Sequence, residues 1–126
     1  MTFLIDTHVL LWYMRGDTRL SKNAISEIEK NSNLIFISKA SLWEIAIKLS
    51  LKKIRFDTPI VKIESYLSER RIGILEFSLL DLQKSTELNF HHRDPFDRLI
   101  ISQAINNNFT VITDDQKFKL YPVKLL

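Results

Sequence analysis

Four short apolar runs are spaced widely along the chain: TFLID (Thr2–Asp6), LIFIS (Leu34–Ser38), IGILEF (Ile72–Phe77) and TVIT (Thr110–Thr113). This spacing limits the possible folds more than any other feature. Runs that are apolar on both alternating positions suit strands buried on both faces, which is the habit of parallel sheets. Parallel neighbours need long crossovers, and the segments between the runs have helical periodicity. The expected fold is therefore α/β, a three-layer α/β/α sandwich around a parallel sheet of about four or five strands. PVKLL (Pro122–Leu126) would add the edge strand. The chain has only 2 Gly and 3 Pro, which leaves little room for long loops. No repeat or linker interrupts it, so residues 1–126 are expected to form one domain around one core.

The helices carry their own punctuation. HVLLWYM (His8–Met14) stops near Gly16, and Ser21 can cap SKNAISEIEK, with Ile25 and Ile28 on one face. Ser41–Lys53 places Leu42, Ile45, Ala46 and Leu49 on one stripe. Thr58-Pro59 is expected to open the helix of IVKIESYL, with Thr58 as N-cap. Ser78 caps LLDLQKSTEL, with Asp81 in near capping-box position. Asp94-Pro95 opens PFDRLIISQA.

Right-handed crossovers bring the C-terminal ends of the strands to one rim, where ligands of such sheets bind. Acids collect at that rim. Asp6 ends the first strand, and Asp114 and Asp115 follow the fourth. Asp94 and Asp97 open the helix before the fourth strand, and Glu44 lies early in the helix after the second. Clustered carboxylates repel unless protonated or bridged by cations. Oxygen ligands without thiolates suit Mg²⁺ or Mn²⁺, and such ions serve phosphoryl chemistry. Each acid also has a structural reading. Asp94 fits an N-cap, and Asp97 is favoured in a first helical turn. Glu44 fits a capping box with Ser41 or an ion pair with Lys48. Asp114-Asp115 fits an ordinary turn. Asp6 is the hardest to explain away, because an acid ending a buried strand needs a cation or donor.

The remaining composition narrows the classes. There are no cysteines, which excludes disulfides, thiolate metal sites and Cys nucleophiles. No H-E-x-x-H, Walker loop or nucleophile elbow is present. The start of the chain does not read as a signal peptide, and no apolar run is long enough to span a membrane, so a cytoplasmic protein is expected. A net charge of +3 is compatible with a polyanionic partner. His8 is expected to start the first helix, and His91-His92 reads as a solvated loop.

LIDTHVLLW, SLWEIAIK, HRDPFDRLIISQA and TVITDDQKF, in this order and spacing, resemble the PIN-domain family, and within it the VapC-type toxin ribonucleases of bacterial toxin–antitoxin pairs. The resemblance covers essentially the whole chain. It implies a Mg²⁺- or Mn²⁺-dependent endoribonuclease, usually a homodimer, inhibited by a cognate antitoxin, with RNA as substrate. Its acids fall on Asp6, Glu44, Asp97 and Asp115, with Asp114 as rival to Asp115 and Asp94 as the helix cap. The T-x-D-x-x-F pattern that places the fourth acid begins at Thr113. Under this reading Asp6, Asp97 and Asp115 hold the ions, and Glu44 completes the cluster and helps orient or deprotonate the attacking water. Phosphate-binding candidates are Arg15, Lys39, Lys48, Arg93 and Arg98. Trp12, Trp43 and Tyr13 are candidates to stack a base. The apolar helices near the N-terminus would permit dimerisation.

Other classes fit less well. A receiver-type phosphoacceptor wants an Asp ending a middle strand, where this chain has Ser38 and Glu76-Phe77. A haloacid-dehalogenase-type phosphatase wants D-x-D, where this chain has Asp6-Thr7-His8. A catalytically silent PIN scaffold and a PIN nuclease outside a toxin pair remain the alternatives.

Overall fold

A computed structural model describes all 126 residues. Five strands form one sheet: β1 (Thr2–Ile5), β2 (Leu34–Ser38), β3 (Ile72–Leu75), β4 (Thr110–Ile112) and β5 (Lys124–Leu125). The order is β3-β2-β1-β4-β5, and every pairing is parallel. Six helices connect them: α1 (Thr7–Arg15), α2 (Lys22–Glu29), α3 (Lys39–Ser50), α4 (Ile63–Glu69), α5 (Leu79–Glu87) and α6 (Pro95–Asn107). The expected parallel α/β fold is the one observed.

Side chains alternate along β1 and so divide the core in two. Phe3 and Ile5 join Ile35, Ile37, Ile72 and Ile112 beneath residues of α1–α4. Leu4 points the other way, with Val111, against Ile100, Ile101 and Ala104 of α6 and against Phe118 and Tyr121. Each such side chain, fully buried, contributes roughly 1.5–3 kcal/mol. Gly73 of β3 sits opposite Phe36 of β2. A Cβ there would lie 2.7 Å from the Phe36 ring, so glycine is what lets that ring stack on Phe109 at 5.7 Å.

Helix boundaries depart from expectation at two places. α3 starts at Lys39, with Ser38 as its N-cap accepting from the Ala40 N–H. Ser41 is therefore inside the helix, and there is no Ser41–Glu44 capping box. Thr58 caps nothing: Pro59 precedes a 3₁₀ turn at Ile60–Lys62 that runs into α4 without a side-chain cap. The Ser78–Asp81 capping box is present. Gly16 ends α1 in the left-handed conformation, φ 63°, with its N–H on the Trp12 and Tyr13 carbonyls.

The chain moves outward from β1 through β2 to β3, then returns to the other side of β1 as β4. The strand order thus reverses at β1–β4, and a crevice opens beyond their C-terminal ends. Asp6 follows β1 directly, and Thr113 follows β4.

Candidate active site

Asp6 is 3% exposed. Its Oδ1 accepts from the Val9 N–H at 2.8 Å, which caps α1, and its Oδ2 accepts from the Thr113 hydroxyl. Thr113 Oγ1 in turn accepts from the Asp115 N–H at 3.0 Å. One hydroxyl therefore ties the end of β1 to the loop after β4. Glu44 is also buried. Its Oε1 accepts from Thr7 Oγ1 at 2.7 Å, and its Oε2 lies 3.0 Å from Lys48 Nζ.

Asp94 caps α6, its Oδ1 accepting from the N–H groups of Phe96 and Asp97. Asp97, one turn in, faces the crevice. Asp115 caps the 3₁₀ turn at Gln116–Leu120 through Oδ1, accepting from Lys117 N–H. Its Oδ2 is 2.7 Å from His92 Nε2. Capping and site membership are thus not exclusive, since a carboxylate has two oxygens. The caps also aim the N-termini of α1 and α6, with their partial positive charge, toward the acids.

Asp114 is exposed, and Asp115 is the member of the pair that turns toward His92 and Asp97. One ligand atom each from His92, Asp97 and Asp115 lie within 4.8 Å of one another. Burial, above all, pushes the Asp97 carboxyl up to about 8; the charges of Asp94, Asp6, Glu44 and Asp115 push in the same direction. Asp6 is raised too, by burial, against the opposing bonds from Thr113 and Val9. Acids buried in each other's field fit a divalent cation: they are hard oxygen donors whose repulsion a cation removes. The structure brings Asp97 and Asp115 together with His92, while Asp6 and Glu44 lie near enough for their charges to act on Asp97.

His92 is the residue the sequence reading misses. It is 7% exposed, not a solvated loop residue, and its Nε2 also lies 3.0 Å from Asp97 Oδ2. HHRD is polar throughout, so no periodicity marks it. His8 lies in the first turn of α1, as expected, exposed and near Asp6.

The basic candidates divide. Arg98 is buried, and its guanidinium donates to the carbonyls of Ser85, Leu88, Asn89 and His92, so it is not available to a phosphate. Lys48 is engaged by Glu44. Arg15 lies in the last turn of α1, at the end away from Asp6. Lys39 begins α3 at the rim, half exposed and 3.6 Å from Glu76, and Arg93 is exposed beside His92. A cleft of about 340 Å³ between Tyr13, Glu29, Arg70 and Arg71 lies at the opposite, N-terminal ends of β2 and β3, away from the acids.

The PIN domain family model matches residues 3–124. Ribonuclease VapC22 of Mycobacterium tuberculosis is 29% identical over 120 residues, covering 94% of this chain and 90% of that protein. The structure of VapBC2 from Rickettsia felis, bound to a DNA fragment from their promoter, superposes with a TM-score of 0.74 at 25% identity, covering 100% of this chain and 98% of that one. VapBC-1 from nontypeable Haemophilus influenzae superposes with a TM-score of 0.73 at 16% identity, covering 100% and 97%. The chain belongs to the PIN-domain family.

Proposed function

We propose that this protein is a divalent-metal-dependent endoribonuclease, the toxin of a toxin–antitoxin pair. The observation that carries the reading is the acid cluster at the β1–β4 crevice, where burial and four neighbouring carboxylates raise Asp97 to about 8. Sites of this kind shift acids for a reason, and charge neutralisation by Mg²⁺ or Mn²⁺ is the reason that suits oxygen ligands. Asp6, Asp97 and Asp115 would hold the ion. When bound, it orients the phosphate, lowers the pKa of a water and stabilises the leaving oxygen.

The chain's own groups do the rest. Glu44 stands beside the cluster, its orientation fixed by Thr7 and Lys48, to orient or deprotonate the attacking water. Thr113 locks Asp6 and the Asp115 backbone into one frame. Lys39 and Arg93 are the exposed cations that meet substrate phosphates. Of the three aromatic candidates, Trp43 is the most accessible: it is 61% exposed beside Glu44, edge-on to Phe96 at 5.4 Å, and is the side chain free to stack a base. Trp12 and Tyr13 are half-buried against the core.

A protein antitoxin is the partner expected of such a toxin. A homodimer would use apolar surface left over by the core. Trp12, Tyr13 and Met14 of α1 and Ile25 of α2 are only partly buried, and Leu79 and Leu80 of α5 are exposed. No helix is long and apolar enough to cross a membrane.

The test is cleavage of a structured RNA pool in Mg²⁺ or Mn²⁺ against EDTA. Metal-dependent cutting is expected, abolished by Asp6→Asn and Asp97→Asn and retained by Asp94→Asn, which keeps a capping oxygen. Absence of cutting in either metal by the folded protein would favour the silent scaffold.

A further inference from the structure

His92 offers an imidazole nitrogen among carboxylates, so it invites reading as a ligand for the cation. The hydrogen bonds around the ring argue for a different role. Nδ1 accepts from the Asp94 backbone N–H at 3.3 Å. A neutral imidazole carries one proton, and a nitrogen that accepts cannot hold it. The proton is therefore on Nε2, which faces Asp115 Oδ2 at 2.7 Å and Asp97 Oδ2 at 3.0 Å. Ligation through Nε2 would require moving the proton to Nδ1, against the Asp94 N–H, and placing two donors face to face.

The ring is held in that orientation from several sides. The His92 backbone N–H donates to Tyr121 Oη at 2.7 Å, and the Tyr121 hydroxyl donates to the Asn89 carbonyl at 2.7 Å. The His92 carbonyl accepts from Arg98, and the Phe118 ring stands edge-on at 6.1 Å. Asp94 supplies the remaining contact, and it is also the cap of α6. The same residue thus sets the helix that aims Asp97 and the tautomer of the ring that Asp97 meets.

We propose that His92 is a positioning residue: an Nε2–H donor that holds Asp115 Oδ2, with Asp97 Oδ2 alongside at 3.0 Å, and so fixes how the two carboxylates face the crevice and the cation. This rests on the metal-nuclease reading for its purpose, though not for its geometry. Donors behind ligating carboxylates typically govern metal affinity by about 10–100-fold.

Long-range ¹H–¹⁵N NMR of the His92 ring tests it. In EDTA the Nε2–H tautomer is expected, and the signal should persist in saturating Mg²⁺, a diamagnetic probe. An Nδ1–H tautomer in EDTA, or loss of the Nε2 proton as Mg²⁺ binds, overturns the proposal. Calorimetric titration with Mn²⁺ adds a second readout. His92→Gln, whose amide N–H reaches the Nε2 position, should stay within about threefold of the parent, whereas His92→Ala should weaken binding by about 10–100-fold. Pulsed EPR of bound Mn²⁺ should show no directly coordinated nitrogen; a nitrogen coupling that disappears in His92→Gln refutes the assignment. If neither ion binds the parent protein, the nuclease reading fails, and the tautomer in EDTA still decides the role of His92.

Discussion

Replacing Asp97 by Asn should make the metal-free protein more stable while removing its activity. The energetic argument starts from separation. Asp97 and Asp115 place carboxylate oxygens within 4.8 Å of one another. Two unit charges at that distance repel by about 3.5 kcal/mol at an effective dielectric constant of about 20. Asp115 is one-third exposed, so water screens part of this, and about 2 kcal/mol is a fair share. Losing the charge also weakens the 3.0 Å contact with His92 Nε2, by about 1 kcal/mol. Relief of burial, and of repulsion from Asp94, Asp6 and Glu44, adds on the favourable side. The net gain for Asp97→Asn is about 2 kcal/mol once the carboxyl is fully ionised.

The pH dependence fixes the sign. The folded carboxyl is raised from 3.8 to about 8, so between those values the folded protein holds a proton that the unfolded chain releases. Stability of the parent in EDTA therefore falls as pH rises from about 4 to 8 and levels off above. The advantage of Asp97→Asn should be small at pH 5 and full at pH 9. Urea unfolding at both pH values measures it, with a midpoint shift of about 1 M expected at pH 9. Saturating Mg²⁺ should reverse the order: ligand at a hundredfold excess over Kd stabilises the parent by about 2.7 kcal/mol and leaves the variant unmoved. If Asp97→Asn in EDTA at pH 9 is no more stable than the parent, the picture of a mutually repelling, buried cluster is wrong.

Other outcomes follow from the same contacts. Arg98→Leu leaves four carbonyls without their donor and should cost about 3–5 kcal/mol in urea unfolding; Arg98→Lys should recover little, because one ammonium cannot span that fork. Asp115→Asn should lower RNA cleavage at least 100-fold, an order-of-magnitude expectation for losing a charged ligand, and Asp114→Asn should leave it near the parent rate. Asp94→Ala removes both capping bonds and should cost about 1 kcal/mol, with a weaker Mn²⁺ affinity than Asp94→Asn in calorimetry.

The fold was legible because its signal is local. Runs such as TFLID and LIFIS declare strands buried on both faces, and an acid ending the first of them points to the rim. Boundaries were less legible where two residues compete for one role. Ser38 and Ser41 both precede the same helical stripe, and only burial of the Ser41 hydroxyl against Thr7 separates them. The 3₁₀ entry to α4 was hidden because Thr58-Pro59 has the form of a cap whatever the chain does next.

His92 and Arg98 were illegible for a different reason. Their partners lie far along the chain or are backbone atoms. His92 meets Asp115, 23 residues on, and Tyr121, 29 residues on. Arg98 is spent on carbonyls of the segment from Ser85 to His92, which carry no sequence identity to read. In a helix, adjacent residues point about 100° apart. Asp97 and Arg98 can therefore serve opposite sides of one N-terminus: the acid faces the crevice, and the guanidinium turns back to fasten the loop that carries His92. The cap at Asp94 sets the rotation of both. A substitution that disturbs the start of α6 should thus move the acid and the donor behind it together, and the D-P-F-D-R stretch is best understood as one device whose charged residues have three separate targets: Asp94 on the helix start, Asp97 on the crevice and Arg98 on the loop.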